Sequence, residues 1–123
     1  MRKLTYIAVA VAFVSTAVIT RAQDPVKVDA KHYKVEFEND QVRVLRIHYA
    51  AGEKSVMHEH PGSVAVFLTD HHVKFTYPDG KSEEVTAKAG QARWTPSGPH
   101  LPENIGDKPF ELVLVELKSK AGK

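Results

Sequence analysis

The 123-residue chain contains no cysteine. Disulfides, thiolate metal ligands, iron–sulfur clusters and thiol nucleophiles are therefore excluded. An excess of one charge is missing too: 17 Lys+Arg against 15 Asp+Glu give +2, too balanced for a nucleic-acid partner. There is no internal repeat and no low-complexity segment. Beyond residue 22 no stretch sustains apolar residues at i, i+3, i+4 and i+7, so a helical protein is not expected. What is present is 42% apolar and 26% charged, the profile of one globular domain. Seven histidines stand out in so short a chain.

The sole long apolar run is at the beginning. Met1-Arg2-Lys3 is a positive start, residues 4–20 carry no charge, and Thr20-Arg21-Ala22 ends the run with small residues at its first and third positions. That layout predicts a secretory signal peptide over residues 1–22, cleaved before Gln23, and a secreted or periplasmic protein that has no membrane contact after cleavage. An uncleaved anchor is the alternative, since the run is at the lower limit of a membrane span. Lipid attachment is excluded for want of a cysteine. Removing Arg2, Lys3 and Arg21 leaves 14 basic and 15 acidic residues, so the basic balance of the whole chain comes mostly from the leader.

Residues 23–123 read as a single β-barrel domain. Residues 24–34 are polar and mixed, an arm or loose first strand. Short extended segments follow at 35–38, 42–49, 56–60, 64–68, 73–77, 83–87, 91–95 and 110–117, divided by turn chemistry. The clearest turn is Pro78-Asp79-Gly80-Lys81, a hairpin signal. Strands at 8–12-residue spacing with Gly or Pro between them indicate an all-β sandwich or barrel. In the last segment Phe110, Leu112 and Leu114 share one face and Val113, Val115 and Leu117 the other. A strand apolar on both faces is covered on both, which predicts a second layer or a homodimer.

His58 and His60 are two residues apart in an extended segment, so both imidazoles face one way and Glu59 faces the other. Such a pair can share one divalent ion if further ligands arrive from elsewhere. His100 ends a second segment punctuated by Gly and Pro. The full frame is Gly52, five residues, His58-Glu59-His60, then Gly90, five residues, Pro96-Ser97-Gly98-Pro99-His100, and Asn104.

This frame closely resembles the two motifs of the cupin superfamily, G-x5-H-x-H-x(3,4)-E-x6-G and G-x5-P-x-G-x2-H-x3-N, across about residues 42–117. The resemblance implies a double-stranded β-helix (jelly-roll) barrel with a metal inside one mouth, ligated by His58, His60 and His100. Three departures stand out. The motif glutamate falls at Val64 or Ala65, neither of which can ligate. The first motif's closing glycine falls near Asp70-His71. The second motif has one residue fewer between Gly98 and His100. The site therefore resembles the three-histidine variant found in cysteine dioxygenase and the acetylacetone-cleaving dioxygenase.

Three neutral imidazoles leave a divalent ion (Fe, Mn, Zn, Ni or Cu) its full +2 charge, which favours a small anionic ligand or substrate. Glu103 and Asn104 lie close enough in sequence to His100 to take its second N–H. His71 and His72 read as solvated turn residues, His32 as exposed, and the facing of Arg46 and His48 is ambiguous. Arg93 and Trp94 face opposite ways, read as surface and core respectively. The sharper alternative has Arg93 at the barrel mouth against a substrate carboxylate. Three functions fit these residues: a mononuclear metal enzyme such as a dioxygenase, a non-catalytic metal or small-ligand binding protein, or a barrel with vestigial histidines. Glu59, facing away, is a poor general base, so catalysis would rest on the metal.

Overall fold

The computed structural model describes residues 10–12 and 23–119. Apart from residues 10–12, the export signal expected over residues 1–22 lies outside the described residues. Among the described residues no helix is long and apolar enough to cross a membrane.

Nine strands carry the chain: β1 (Tyr33–Glu38), β2 (Val42–Tyr49), β3 (His58–His60), β4 (Ser63–Phe67), β5 (His71–Thr76), β6 (Ser82–Ala87), β7 (Ala92–Thr95), β8 (Gly98–Asn104) and β9 (Phe110–Leu117). They form a five-stranded sheet in the order β1-β2-β9-β4-β7 and a four-stranded sheet in the order β3-β8-β5-β6, and every strand pair is antiparallel. The expected all-β architecture is what the chain adopts. The β5–β6 hairpin closes over the anticipated turn: Gly80 takes φ +84° and Asp79 Oδ1 accepts from the Lys81 N–H at 2.9 Å. Asn39 does the same work between β1 and β2, its side-chain oxygen accepting from the N–H groups of Gln41 and Val42.

Alternation along β2 and β9 places the core. Leu45, Ile47 and Tyr49 face inward opposite Leu114, Leu112 and Phe110, joined by Ala65 and Phe67 of β4 and Val73 of β5. The outward row of β9 is half-buried, and Arg46 and His48 lie on that outer face, with Arg46 paired to Glu36 and Glu111.

Several expectations are corrected. The segment 24–34 is not a loose arm: Asp24 caps a one-turn helix, α1 (Pro25–Val28), by accepting from the Val26 N–H. His32 is buried, its ring stacked on Tyr49 at 4.1 Å and its Nδ1 held by Asp29. Residues 98–104 form a full strand. His71 is not a turn residue; it opens β5 only 7% exposed, between the rings of Phe67 and Phe110. His72 does face solvent. Trp94 is 59% exposed, because it pairs with outward-facing Val64 on an edge strand and lays its indole over Gly62. Arg93 is solvent-exposed, as expected, although it pairs with inward-facing Ala65.

Candidate metal centre

β3 and β8 pair so that His58 is opposite His100 and His60 opposite Gly98. Directly opposed residues share a face, so the register alone brings three imidazoles to one side of the sheet. The short β3 sits between Ser55 and Pro61, and Gly98, at φ +143°, supplies the backbone turn that returns the chain alongside it. The ring centroids lie 4.8 Å (His58–His60), 4.9 Å (His58–His100) and 5.2 Å (His60–His100) apart. One nitrogen from each comes within 4.8 Å of the others. The cluster predicted from sequence is thus assembled in space.

Hydrogen bonding orients two of the rings. His58 is fully buried, and its Nδ1 lies 2.8 Å from the Val56 carbonyl, which can only accept. Nδ1 therefore carries the proton and Nε2 keeps a lone pair. His60 donates from Nδ1 to Glu116 Oε2 at 2.7 Å. His100 is held by stacking, its ring parallel to Phe75 at 4.8 Å. The buried Nε2 atoms of His58 and His100 have no hydrogen-bond partner. Orphaned buried nitrogens are rare, and two that converge with a third imidazole fit a cation. Burial, then the neighbouring imidazole charge, lowers the His58 pKa to about 4 and that of His100 to about 3, so both remain neutral ligands at ordinary pH.

Behind the cluster lies a chain of charge that the sequence reading missed. Glu116 is 2% exposed and accepts from both His60 and the Arg43 Nε, the latter at 2.6 Å. Arg43 in turn holds Asp24 with two hydrogen bonds, at 2.8 and 3.0 Å. Burial alone would raise the Glu116 pKa, but the bonds from His60 and Arg43 outweigh it and hold the group below its ordinary value. The signal was available: Glu116 continues the inward row Phe110, Leu112, Leu114, and an acid at an inward position needs a partner. Tyr33 packs its ring 4.8 Å from His58 and 5.6 Å from His60, with its hydroxyl 2.6 Å from that of Tyr49. Burial, then Tyr49, pushes its pKa well up, so it remains a neutral phenol.

Neither Glu103 nor Asn104 reaches His100. The Asn104 side chain spends its bonds on the carbonyls of Tyr49, Ala50 and Lys108 and on the Gly106 N–H. Val64 faces outward and Ala65 faces the interior, so no carboxylate replaces the motif glutamate in the cluster among the described residues.

The imidazoles of His60 and His100 open onto a cavity of about 660 Å³ inside the barrel. His60 and His100 lie at one end, and Phe67, Phe75, Phe110 and Leu112 supply apolar walls. Arg93 also lines it, its guanidinium 5.8 Å from the centre of the Phe67 ring.

A family model described as "Cupin domain" matches residues 45–116, more than half of the chain and including all three histidines. No curated protein matches. Among solved structures, a cupin domain from Bordetella pertussis Tohama I is 26% identical, covering 71% of this chain and 92% of its own, with a TM-score of 0.65. A double-stranded β-helix protein from Klebsiella pneumoniae is 24% identical over 73% of this chain and 78% of its own, with a TM-score of 0.57. An RmlC-like cupin from Methanocaldococcus jannaschii is 20% identical over 83% and 93%, with a TM-score of 0.54. With two facing antiparallel sheets, the paired histidine motifs on β3 and β8 and a family match across that region, the chain belongs to the cupins and has their double-stranded β-helix fold.

Proposed function

We propose that the protein is an exported cupin that holds one divalent cation on His58, His60 and His100 and offers it to a small organic anion, as a mononuclear metal-dependent dioxygenase or a related enzyme. The observation supporting this is the convergence of three ring nitrogens within 4.8 Å, two of them buried and without partners, at one end of an apolar cavity. A divalent ion bound there supplies Lewis acidity, with positions left for water, dioxygen or an anionic oxygen donor. The protein's own residues do the rest. Val56 fixes the tautomer of His58. Glu116 draws on the His60 proton and makes that ring a stronger donor to a cation. The aromatic walls keep water from the ligand, and with no carboxylate among the ligands the charge stays at +2, which selects anions.

The test begins with elemental analysis of protein purified from its natural host, because a recombinant site takes whichever metal is abundant. One divalent ion per chain is expected. His58→Ala, His60→Ala and His100→Ala should each abolish stoichiometric metal, while His71→Ala should retain it. A wild type that takes no metal after reconstitution makes the histidines vestigial. Dioxygen uptake against a panel of anionic chelators then separates an enzyme from a binding protein. Export is checked by mass spectrometry of the mature chain, expected to begin at Gln23; a membrane-bound chain retaining Met1 overturns it. We infer further that the protein is a homodimer joined through the outer face of the five-stranded sheet.

A further inference from the structure

Among the described residues Arg93 is the one Lys or Arg side chain that lines the barrel cavity. Its strand position fixes its direction, since it pairs with Ala65, which is 2% exposed and faces the interior. The guanidinium lies over the Phe67 ring, which itself sits 5.0 Å from the ring of His71. Among the described residues it pairs with no carboxylate; its one hydrogen bond goes to Gln91 Oε1 at 3.1 Å. That is unusual in this molecule, whose other two arginines beyond the leader, Arg43 and Arg46, are each held by two carboxylates. Beside it His71 is buried with its Nδ1 unpartnered.

This pole is remote from the histidine cluster. Phe75 stacks on His100, and along the inward row of β5 the residues Phe75, Val73 and His71 run away from it. Four residues of strand span about 13 Å. Between the two ends the walls are Val73, Phe67, Phe110 and Leu112, all buried and apolar. An unpaired guanidinium at one end, an apolar middle and a cluster of cation ligands at the other describe a ligand by its chemistry.

We propose that Arg93, with His71 beside it, receives the carboxylate of an elongated, mostly apolar organic acid whose opposite end lies at His58, His60 and His100. The planar guanidinium binds a carboxylate through two parallel N–H bonds. The proposal rests on the metal-centre reading for the far end of the ligand only; the Arg93 end is independent of any ion and is tested without one.

Metal-free wild-type protein is titrated calorimetrically with phenylbutanoate and with the neutral phenylbutanol, which share an apolar body and differ in the terminal group. The wild type should prefer the anion at least ten-fold. Arg93→Gln should bind both equally, with its affinity for the alcohol unchanged, and Arg93→Lys should keep part of the preference. Because Arg93 is exposed to solvent and bonds only Gln91, both variants should fold with the wild-type circular dichroism spectrum. An anion preference that survives in Arg93→Gln, or a wild type that binds neither compound, overturns the proposal. Metal stoichiometry is measured separately on the same wild type: if it fails while the Arg93 preference holds, the metal reading falls and this one stands.

Discussion

At the scale of single residues, burial decides which histidines matter. His71 lies in a run, Asp70-His71-His72, whose polarity reads as a solvated turn, and the two rings that enclose it come from residues 67 and 110. Nothing within a few residues of His71 announces Phe110. Its burial has a measurable cost. Burial, then the Arg93 charge, lowers its pKa to about 4. Below about pH 6.5 the unfolded chain takes up a proton that the folded chain refuses until about pH 4. Stability therefore rises with pH across this window and is lost as pH falls through it. The share of His71 is on the order of 2 kcal/mol between pH 7 and pH 4.5. His71→Phe, close in volume and with no nitrogen to charge, should flatten the acid limb of urea unfolding measured on metal-free protein. An unchanged limb would mean that His71 is not buried as described. His58 and His60 were legible for a different reason, since their two-residue spacing on a strand fixes a common face. His100 was legible only through the resemblance to the cupin motifs, and the β3–β8 register places it opposite His58.

Among the elements, strands rich in β-branched and aromatic residues between turn signals were readable and strands made by tertiary pairing were not. β2 and β9 occupy residues 42–49 and 110–117, the spans expected from sequence, because each is a run of β-branched, aromatic and other apolar residues bounded by polar or turn residues. β8 carries Pro99, Pro102 and charged Glu103, which in isolation suggest a loop. It is a strand because β3 and β5 supply partners on either side. Asn104 holds its end. Buried at 1% exposure, it donates to the Tyr49, Ala50 and Lys108 carbonyls and accepts from Gly106, tying β8 to the end of β2 and to the loop before β9. Asn104→Ala would leave those groups without partners, at about 1–3 kcal/mol for each that stays buried. A total loss of about 3 kcal/mol or more is expected in urea unfolding. Metal stoichiometry of the folded variant should be unchanged, because Asn104 touches none of the three histidines. Loss of metal from folded Asn104→Ala would show that the β8 end, and not the local register with β3, positions His100.

The whole molecule has two faces to cover, and the barrel interior accounts for one. On the outside of the five-stranded sheet the register lines up one apolar row across every strand: Phe37, Val44, Val115, Val64 and Trp94. Phe37 joins it because the bulge between Val35 and Phe37 turns its side chain to the outer face. A second row holds Val113, Val66 and Ala92 beside Arg46 and Lys34. Five strands at their usual spacing make this face about 19 Å wide. Phe37 and Trp94 at its two ends are 54% and 59% exposed, a large apolar surface for a small chain to leave in water. The proposed homodimer would cover this face with a second copy, a two-fold axis setting the same apolar row of each subunit against the other. Light scattering should therefore give twice the chain mass at micromolar concentration. Val64→Lys combined with Val115→Asp places charge in the middle of the row and should yield monomers that still bind one metal each, because neither side chain faces the cavity. A wild type that scatters as a monomer at high concentration removes the dimer, and a double variant that stays dimeric moves the interface to another face.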